Sequence, residues 1–390
     1  MSIIINDSRS ERAFVKNLRA RLREGRPLIQ VILGPRQVGK TTGVEQCLRD
    51  FPRAHYANAD ESLYQSVEWI DEQWQAAKMA DARAPILVID EIQKIQRWSE
   101  KIKALWDAEW HAKSRFKLVL LGSSSPTLSA GLDESLAGRF ELIPVYHWGF
   151  DESRAAFRYD LKTYLLYGGY PYAAKLKKDF GRWQAYLKSS IIETVIGKDI
   201  LRHAQVRKPA LFRQVFEILS SYPAREVSYN RILGQLQEGG NTDLVKHYIH
   251  LLSEAFLFKA LEKYSGSAVR RKVSSPKILP LAPSLYTYRL GEKDLDDPET
   301  MGWVFEAAVG AEISRMPGEL FYWRDGMHEV DFVHVHGSTV TAIEVKAGRR
   351  KRGHGLAAFR GKFPKSRVAF VTPENYPALS ADPAEFFEKI

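Results

Sequence analysis

Val31-Ile-Leu-Gly-Pro-Arg-Gln-Val-Gly-Lys-Thr-Thr42 decides how the first part of this chain folds. From Gly34 through Pro35, Arg36, Gln37 and Val38 to Gly39, Lys40 and Thr41, it has the Gly-x-x-x-x-Gly-Lys-Thr spacing of a phosphate-binding loop. The flanks agree. Leu28 to Leu33 is a short, β-branched apolar run that suits a buried strand, and Thr42 to Arg49 reads as a helix. A turn between such elements aims its backbone N–H groups at an anion, at the positive end of the helix dipole. In that setting Lys40 reaches the β- and γ-phosphates of a nucleoside triphosphate, ATP being the expected one. The Thr41 hydroxyl then meets Mg²⁺.

Such a loop needs a second acidic strand, and Ala84-Pro-Ile-Leu-Val-Ile-Asp90-Glu91 supplies one. Asp90 is placed to hold Mg²⁺, directly or through water. Glu91, beside the metal at the strand end, is placed to polarise the water that attacks the γ-phosphorus. Without such partners, two carboxylates ending a buried strand would be costly unpaired charge.

At 390 residues the chain is longer than one hydrophobic core usually serves, so two or three domains are expected. It contains no run of eighteen apolar residues, which argues against a membrane span. The start, Met1 to Asn6, is too short for a secretory signal core. The single cysteine, Cys47, excludes an internal disulfide and any multi-cysteine zinc site. Together these fit a reducing cytoplasm. The net charge of +10 is uneven: residues 151–300 carry 24 basic and 17 acidic side chains, or 23 and 12 without residues 291–300. A basic middle between near-neutral flanks points to a polyanion partner, against the plainer reading of a solvated surface.

Around the two motifs the elements alternate. Residues 9–24 form an amphipathic helix with Phe14, Leu18 and Leu22 on one face, Ser8 or Ser10 as cap and Gly25 as stop. Strands are expected near 53–59, 85–89, 117–122 and 140–146. Helical stretches carry Trp69 and Trp74, then Trp98, Leu105 and Trp106. This order implies parallel βαβ units. In Gly122-Ser-Ser-Ser-Pro126, Ser124 or Ser123 falls where a hydroxyl can sense the γ-phosphate. In Glu134-Ser-Leu-Ala-Gly-Arg139, the arginine either reaches a neighbouring subunit's nucleotide or forms a local ion pair.

In this sequence of motifs the chain resembles an AAA+ ATPase. It is similar in particular to a large prokaryotic family that adds a carboxy-terminal restriction-endonuclease-like module. Leu166-Tyr-Gly-Gly-Tyr-Pro171 also resembles that family's motif behind the ATPase core. The resemblance implies ATP hydrolysis in a homo-oligomer such as a hexameric ring, with Arg139 acting across subunits.

The middle reads as three helices, at 210–219, 228–236 and 241–252, then two strands, 256–263 and 277–281, around Arg270-Arg271-Lys272. That order suggests a winged helix-turn-helix. In the third helix Leu244, Tyr248 and Leu252 line one face, and Thr242, Lys246, His247 and His250 the other. The polar face suits a DNA major groove while Arg270, Arg271 and Lys272 hold phosphates. Alternatively the fold serves protein contacts.

Residues 291–302 read as a linker. Behind it the order αβββαβ, with Asp331 and Glu344-Val-Lys346 on paired strands, resembles the PD-(D/E)XK nucleases. Glu344 and Lys346 are two apart and share a strand face. Asp331 and Glu344 are then candidate Mg²⁺ ligands, with Lys346 beside the attacking water. Glu306, on the preceding helix, matches a further acidic ligand in some members, Holliday-junction resolvases among them. Against this stands a fold kept only for binding, its charges in cross-strand ion pairs. His334 and His336 alternate on one strand face without a third ligand at zinc spacing, and read as surface residues.

The expected architecture is therefore α/β throughout: an AAA+ P-loop ATPase core over residues 1–150, a helical lid plus winged helix over 151–290, a linker over 291–302, and a restriction-endonuclease-like domain over 303–390. Three functions remain open. One is an ATP-driven oligomer acting on duplex or branched DNA. The second is a nucleotide-controlled switch engaging proteins, and the third an ATP-gated nuclease.

Overall fold

A computed structural model describes residues 11–61, 66–123, 126–201, 206–237, 239–265, 274–348 and 354–390. The chain divides into two compact units, residues 1–146 with 197–205, and residues 147–196 with 206–390.

In the first unit, β1 (Ile29–Gly34), β2 (His55–Asn58), β3 (Ile86–Asp90), β4 (Lys117–Ser123) and β5 (Phe140–Pro144) make an all-parallel sheet, in the order β2-β3-β4-β1-β5. All residues of β1, β3 and β4 are buried, as expected of parallel strands covered on both faces. Register brings the strand ends level: Gly34 pairs with Ser123, and Asn58 with Asp90. The loop glycine, the acidic strand end and a serine hydroxyl thus meet on one sheet edge.

Helix α1 (Ala13–Arg23) buries Phe14, Val15, Leu18 and Leu22. Its N-cap is Arg12, and Ser8 and Ser10 lie outside the described residues. α2 (Lys40–Leu48) begins within the motif itself, earlier than the run from Thr42 suggested. α3 (Val67–Ala80) contributes Trp74, whose ring stacks on Phe116 with centroids 4.2 Å apart. α4 (Trp98–His111) buries Trp98, Ile102 and Trp106, spaced four apart, while Leu105 flanks that stripe and is half-buried. α5 (Pro126–Ser135) joins β4 to β5.

The second unit opens with α6 (Phe150–Phe157), α7 (Leu161–Tyr167) and α8 (Phe180–Tyr186). The glycine pair in Leu166-Tyr-Gly-Gly-Tyr-Pro171 has a steric cause. Gly169 has φ +116°, and a Cβ there would lie 2.6 Å from that of Ala282. The pair also offers its carbonyls, Gly168 to Ser284 N–H and Gly169 to Trp148 N–H. Helices α9 (Pro209–Ser220), α10 (Tyr229–Leu233) and α11 (Thr242–Glu254) follow, with β6 (Arg225–Glu226), β7 (Phe258–Leu261) and β8 (Lys277–Pro280) in an antiparallel sheet ordered β6-β8-β7. The two-residue β6 had no legible sequence pattern.

The linker reading needs correction. Asp294–Asp296 is a 3₁₀ turn, Leu295 is buried, and α12 runs from Pro298 to Ile313. Asp297 caps it, accepting from Thr300 N–H at 2.8 Å, and Pro298 takes the first turn, where its missing N–H costs nothing. Beyond it, β9 (Glu319–Asp325), β10 (His328–His336), β11 (Thr339–Val345) and β12 (Arg367–Val371) form a sheet ordered β12-β11-β10-β9, with only β11 and β12 parallel. α13 (His354–Lys362) precedes β12. The register of β10 against β9 shifts between Val330 and Val333, with one more residue on β10 than on β9 across that interval. His334 also departs from expectation: it is buried, its Nε2 2.9 Å from the Pro317 carbonyl, whereas His336 is exposed. Among the described residues no helix is long and apolar enough to cross a membrane.

Candidate functional site

The loop from Pro35 to Gly39 contains two left-handed residues, Gln37 (φ 58°) and Gly39 (φ 89°), which turn the chain from β1 into α2. Lys40 is buried, its ammonium donating to the Gly34 and Pro35 carbonyls at 2.9 and 2.7 Å. Thr41 and Thr42 follow in the first turn of α2. The Thr41 hydroxyl donates to Asp90 Oδ2 at 2.7 Å, and the Tyr56 hydroxyl reaches the same oxygen at 2.8 Å. Asp90 Oδ1 accepts the Glu91 N–H at 2.9 Å. A hydroxyl and a carboxylate in contact beside a phosphate loop fit magnesium, which takes few protein oxygens and keeps its waters and phosphates. Thr41 and Asp90 are the residues that would hold it, and bound there it would neutralise phosphate charge.

Glu91 sits in the left-handed region at φ 52°, a strain of about 1–3 kcal/mol for a non-glycine residue. Its carboxyl is held above the ordinary carboxylate range by burial, which Arg36 and Lys40 oppose. Gln93 Nε2 donates both to Glu91 Oε2 and, at 3.3 Å, to the Ser123 hydroxyl. Ser123 is therefore the described hydroxyl at this sheet edge, while Ser124 lies outside the described residues.

Two partners of the loop and one of Asp90 escaped the sequence reading. Arg36 pairs with Asp199 through Nε, at 2.7 and 2.6 Å, on the segment 197–205 that returns to this unit. Arg12 donates to the Val38 and Tyr146 carbonyls, both at 2.9 Å. Tyr56 adds to the Asp90 cluster. The signals were weak, because each partner is distant in sequence from the loop. Arg139 makes the local ion pair that the sequence left open: its Nε and Nη2 donate to Asp107 at 2.7 and 2.9 Å.

Burial lowers the Lys40 ammonium pKa to about 8, with Glu91 and Asp90 opposing the shift. At pH 8 the free site thus holds about half a proton on this group, whereas phosphate oxygens favour the charged form. The sign follows: a nucleotide that raises this depressed pKa must take a proton from solution. Calorimetric titration at pH 8 in buffers of different ionisation enthalpy should report uptake of up to about half a proton per site. Lys40→Ala should lose that uptake.

In the second unit, α11 buries Val245, Tyr248, Ile249, Leu251 and Leu252, while Lys246, His247 and His250 are exposed and Thr242 is half-buried. Leu244 is only half-buried, so the apolar stripe is centred one residue later than expected. Asn241 caps the helix, accepting from Leu244 N–H at 2.8 Å. Lys246 lies 3.3 Å from Asp243 and His250 3.5 Å from Glu254. Arg270, Arg271 and Lys272 lie outside the described residues.

The four carboxy-terminal candidates do converge. Asp331 Oδ2 accepts Val345 N–H at 2.7 Å, and Lys346 Nζ lies 2.6 Å from Glu344 Oε1. Burial pushes the carboxyls of Glu306, Asp331 and Glu344 upward. Glu306, expected as a metal ligand, is instead paired with the buried Lys277 of β8 at 2.5 Å. The same ammonium donates to the Asp331 carbonyl at 3.1 Å. Among the described residues no group of three or more His, Cys, Asp or Glu side chains is arranged to hold a metal ion. With the Glu306 corner occupied by an ammonium, the three carboxylates as found do not close together around a divalent cation.

Comparison with known proteins gives three consecutive matches. Residues 26–153 match the family described as AAA domain (AAA_14). Residues 158–296 and 301–378 match two families described as Domain of unknown function, DUF8612 and DUF4143. Uncharacterised proteins of Mycobacterium tuberculosis and Mycobacterium bovis are 28% identical over 323 residues, 78% of this chain and 67% of theirs. A solved Walker-type ATPase of Pyrococcus abyssi is similar with TM-score 0.53 and 14% identity, over 73% of this chain and 97% of that one. At that identity the likeness is one of fold.

Proposed function

From the premise that residues 26–153 form an AAA-type P-loop ATPase domain, we propose that this protein is an ATP-hydrolysing, DNA-binding motor or remodeller. It works in the cytoplasm as a homo-oligomer such as a hexameric ring. Lys40 engages the β- and γ-phosphates once its ammonium leaves the Gly34 and Pro35 carbonyls. Thr41 and Asp90 hold Mg²⁺, Glu91 draws a proton from the attacking water, and the hydroxyl beside Gln93 reads the γ-phosphate. Arg139 acts on a neighbouring subunit's nucleotide after giving up Asp107.

One observation carries the DNA part of this reading. In a three-helix, three-strand arrangement with the element order of a winged helix, α11 turns Lys246, His247 and His250 to solvent. Arg270, Arg271 and Lys272 fall between β7 and β8 in sequence. We treat residues 151–290 as this lid and winged helix, and the restriction-endonuclease-like part as following it. Cationic contacts to phosphate give affinity that falls steeply with salt, and the helix face positions duplex or branched DNA.

The test is ATPase turnover with a panel of duplex, branched and single-stranded DNA. Turnover should rise with the preferred DNA, and the rise should fade as salt increases. A triple change of Arg270, Arg271 and Lys272 to alanine should remove the stimulation and leave basal turnover intact. Turnover indifferent to every DNA would favour the switch that engages proteins instead.

A further inference from the structure

The carboxylate centre of the second unit contains a residue that its motif does not announce. Lys277 opens β8, in the same small sheet as β6 and β7, yet its side chain is 2% exposed and ends among Glu306 of α12 and Asp331 of β10. Its ammonium has three partners: Glu306 Oε1 at 2.5 Å, the Asp331 carbonyl at 3.1 Å, and the Phe332 ring, whose centroid lies 4.8 Å away. A second ammonium, that of Lys346, holds Glu344 Oε1. The Asp331 carboxylate is spent in part on Val345 N–H. Glu344 Oε2 is the one buried oxygen of the centre left without a hydrogen bond.

We propose that Lys277 is the resident cation at the Glu306 corner of this centre, an internal ammonium standing where a further acidic metal ligand was expected. Three converging carboxylates cannot share a poorly solvated site unless cations compensate them. Two lysines already supply most of that compensation, so a divalent ion entering beside Lys277 would meet an ammonium at its third corner. Within the register shift between Val330 and Val333, the Asp331 carbonyl accepts from Lys277 while its carboxylate accepts from Val345 N–H of β11. The centre therefore ties β8 to α12 and β10, and the wild-type centre holds no divalent ion through Asp331.

The inference is independent of the ATPase and DNA readings, since it is tested on full-length, nucleotide-free protein. Mn²⁺ is the probe, read by thermal midpoint and by its electron paramagnetic signal. Wild type should show neither a rise in midpoint nor a bound signal that depends on Asp331. Lys277→Met keeps the side-chain volume and removes the charge, so it should gain both, and Lys277→Met with Asp331→Asn should lose them again. If Lys277→Met does not fold, wild type decides alone. A Mn²⁺ signal in wild type that disappears in Asp331→Asn overturns the proposal, and its absence upholds it. Lys277→Met that folds yet ignores Mn²⁺ overturns it as well.

Discussion

Lys40→Ala should lower kcat/KM for ATP by about 10²–10³-fold, the loss seen when a single preorganised donor to a developing charge is removed. Of the two cations in the motif, Arg36 is paired with Asp199, whereas the Lys40 ammonium is buried away from competing water. In the free site it is satisfied by two carbonyls of its own loop, Gly34 and Pro35. Those bonds join an ammonium to uncharged carbonyls, and exchanging them for phosphate oxygens sets opposite charges against each other, a shorter and stronger contact. Nucleotide affinity should therefore fall together with turnover. Folding should not suffer. The mutation removes a buried charge held by two carbonyls and by the nearby carboxylates of Glu91 and Asp90, so desolvation relief offsets part of what is lost, and the thermal midpoint should stay within a few degrees. A calorimetric titration and a steady-state assay on the same preparation check both halves. Full turnover in Lys40→Ala would mean that the loop does not hold the reacting phosphates.

The first unit was largely legible because its signals are local. The loop spacing, the apolar runs of β1, β3 and β4, and the paired carboxylates Asp90 and Glu91 each lie within a few residues, and their strands came out parallel, in one sheet. What stayed hidden is what crosses long gaps. Arg36 and Asp199 are 163 residues apart, and Arg12 meets the carbonyl of Tyr146 across 134. No periodicity encodes such a pair. In the second unit the helices and the αβββαβ order could be read from pattern, but Lys277 could not. On sequence it is one more basic residue near Arg270, Arg271 and Lys272, and only the packing of β8 on α12 makes it a counter-ion. The linker failed for a different reason. Its charged, Pro- and Gly-bearing composition masked a helix start, Asp297-Pro298-Glu-Thr300, whose capping aspartate and first-turn proline are themselves a recognisable signal.

Glu91→Gln should separate binding from hydrolysis. The carboxylate is the group placed to accept a proton from the attacking water, and general-base contributions amount to about 10²–10⁴-fold. An amide has the same shape but accepts no proton, so kcat should drop within that range while nucleotide affinity is kept, because Lys40, Thr41 and Asp90 are untouched. The geometry should survive too: Gln93 Nε2 donates to Glu91 Oε2, and an amide oxygen can accept the same bond. Turnover should also depend on pH in a set direction. Burial holds the Glu91 carboxyl above the ordinary range, so the base is lost as pH falls through that raised pKa. Wild-type kcat should therefore decline on acidification sooner than an exposed glutamate would dictate, and the residual turnover of Glu91→Gln should lack that limb. Nucleotide binding by calorimetry, set beside kcat from mildly acidic to neutral pH, tests this. Near-normal turnover in Glu91→Gln would transfer the role of base to another group at the sheet edge.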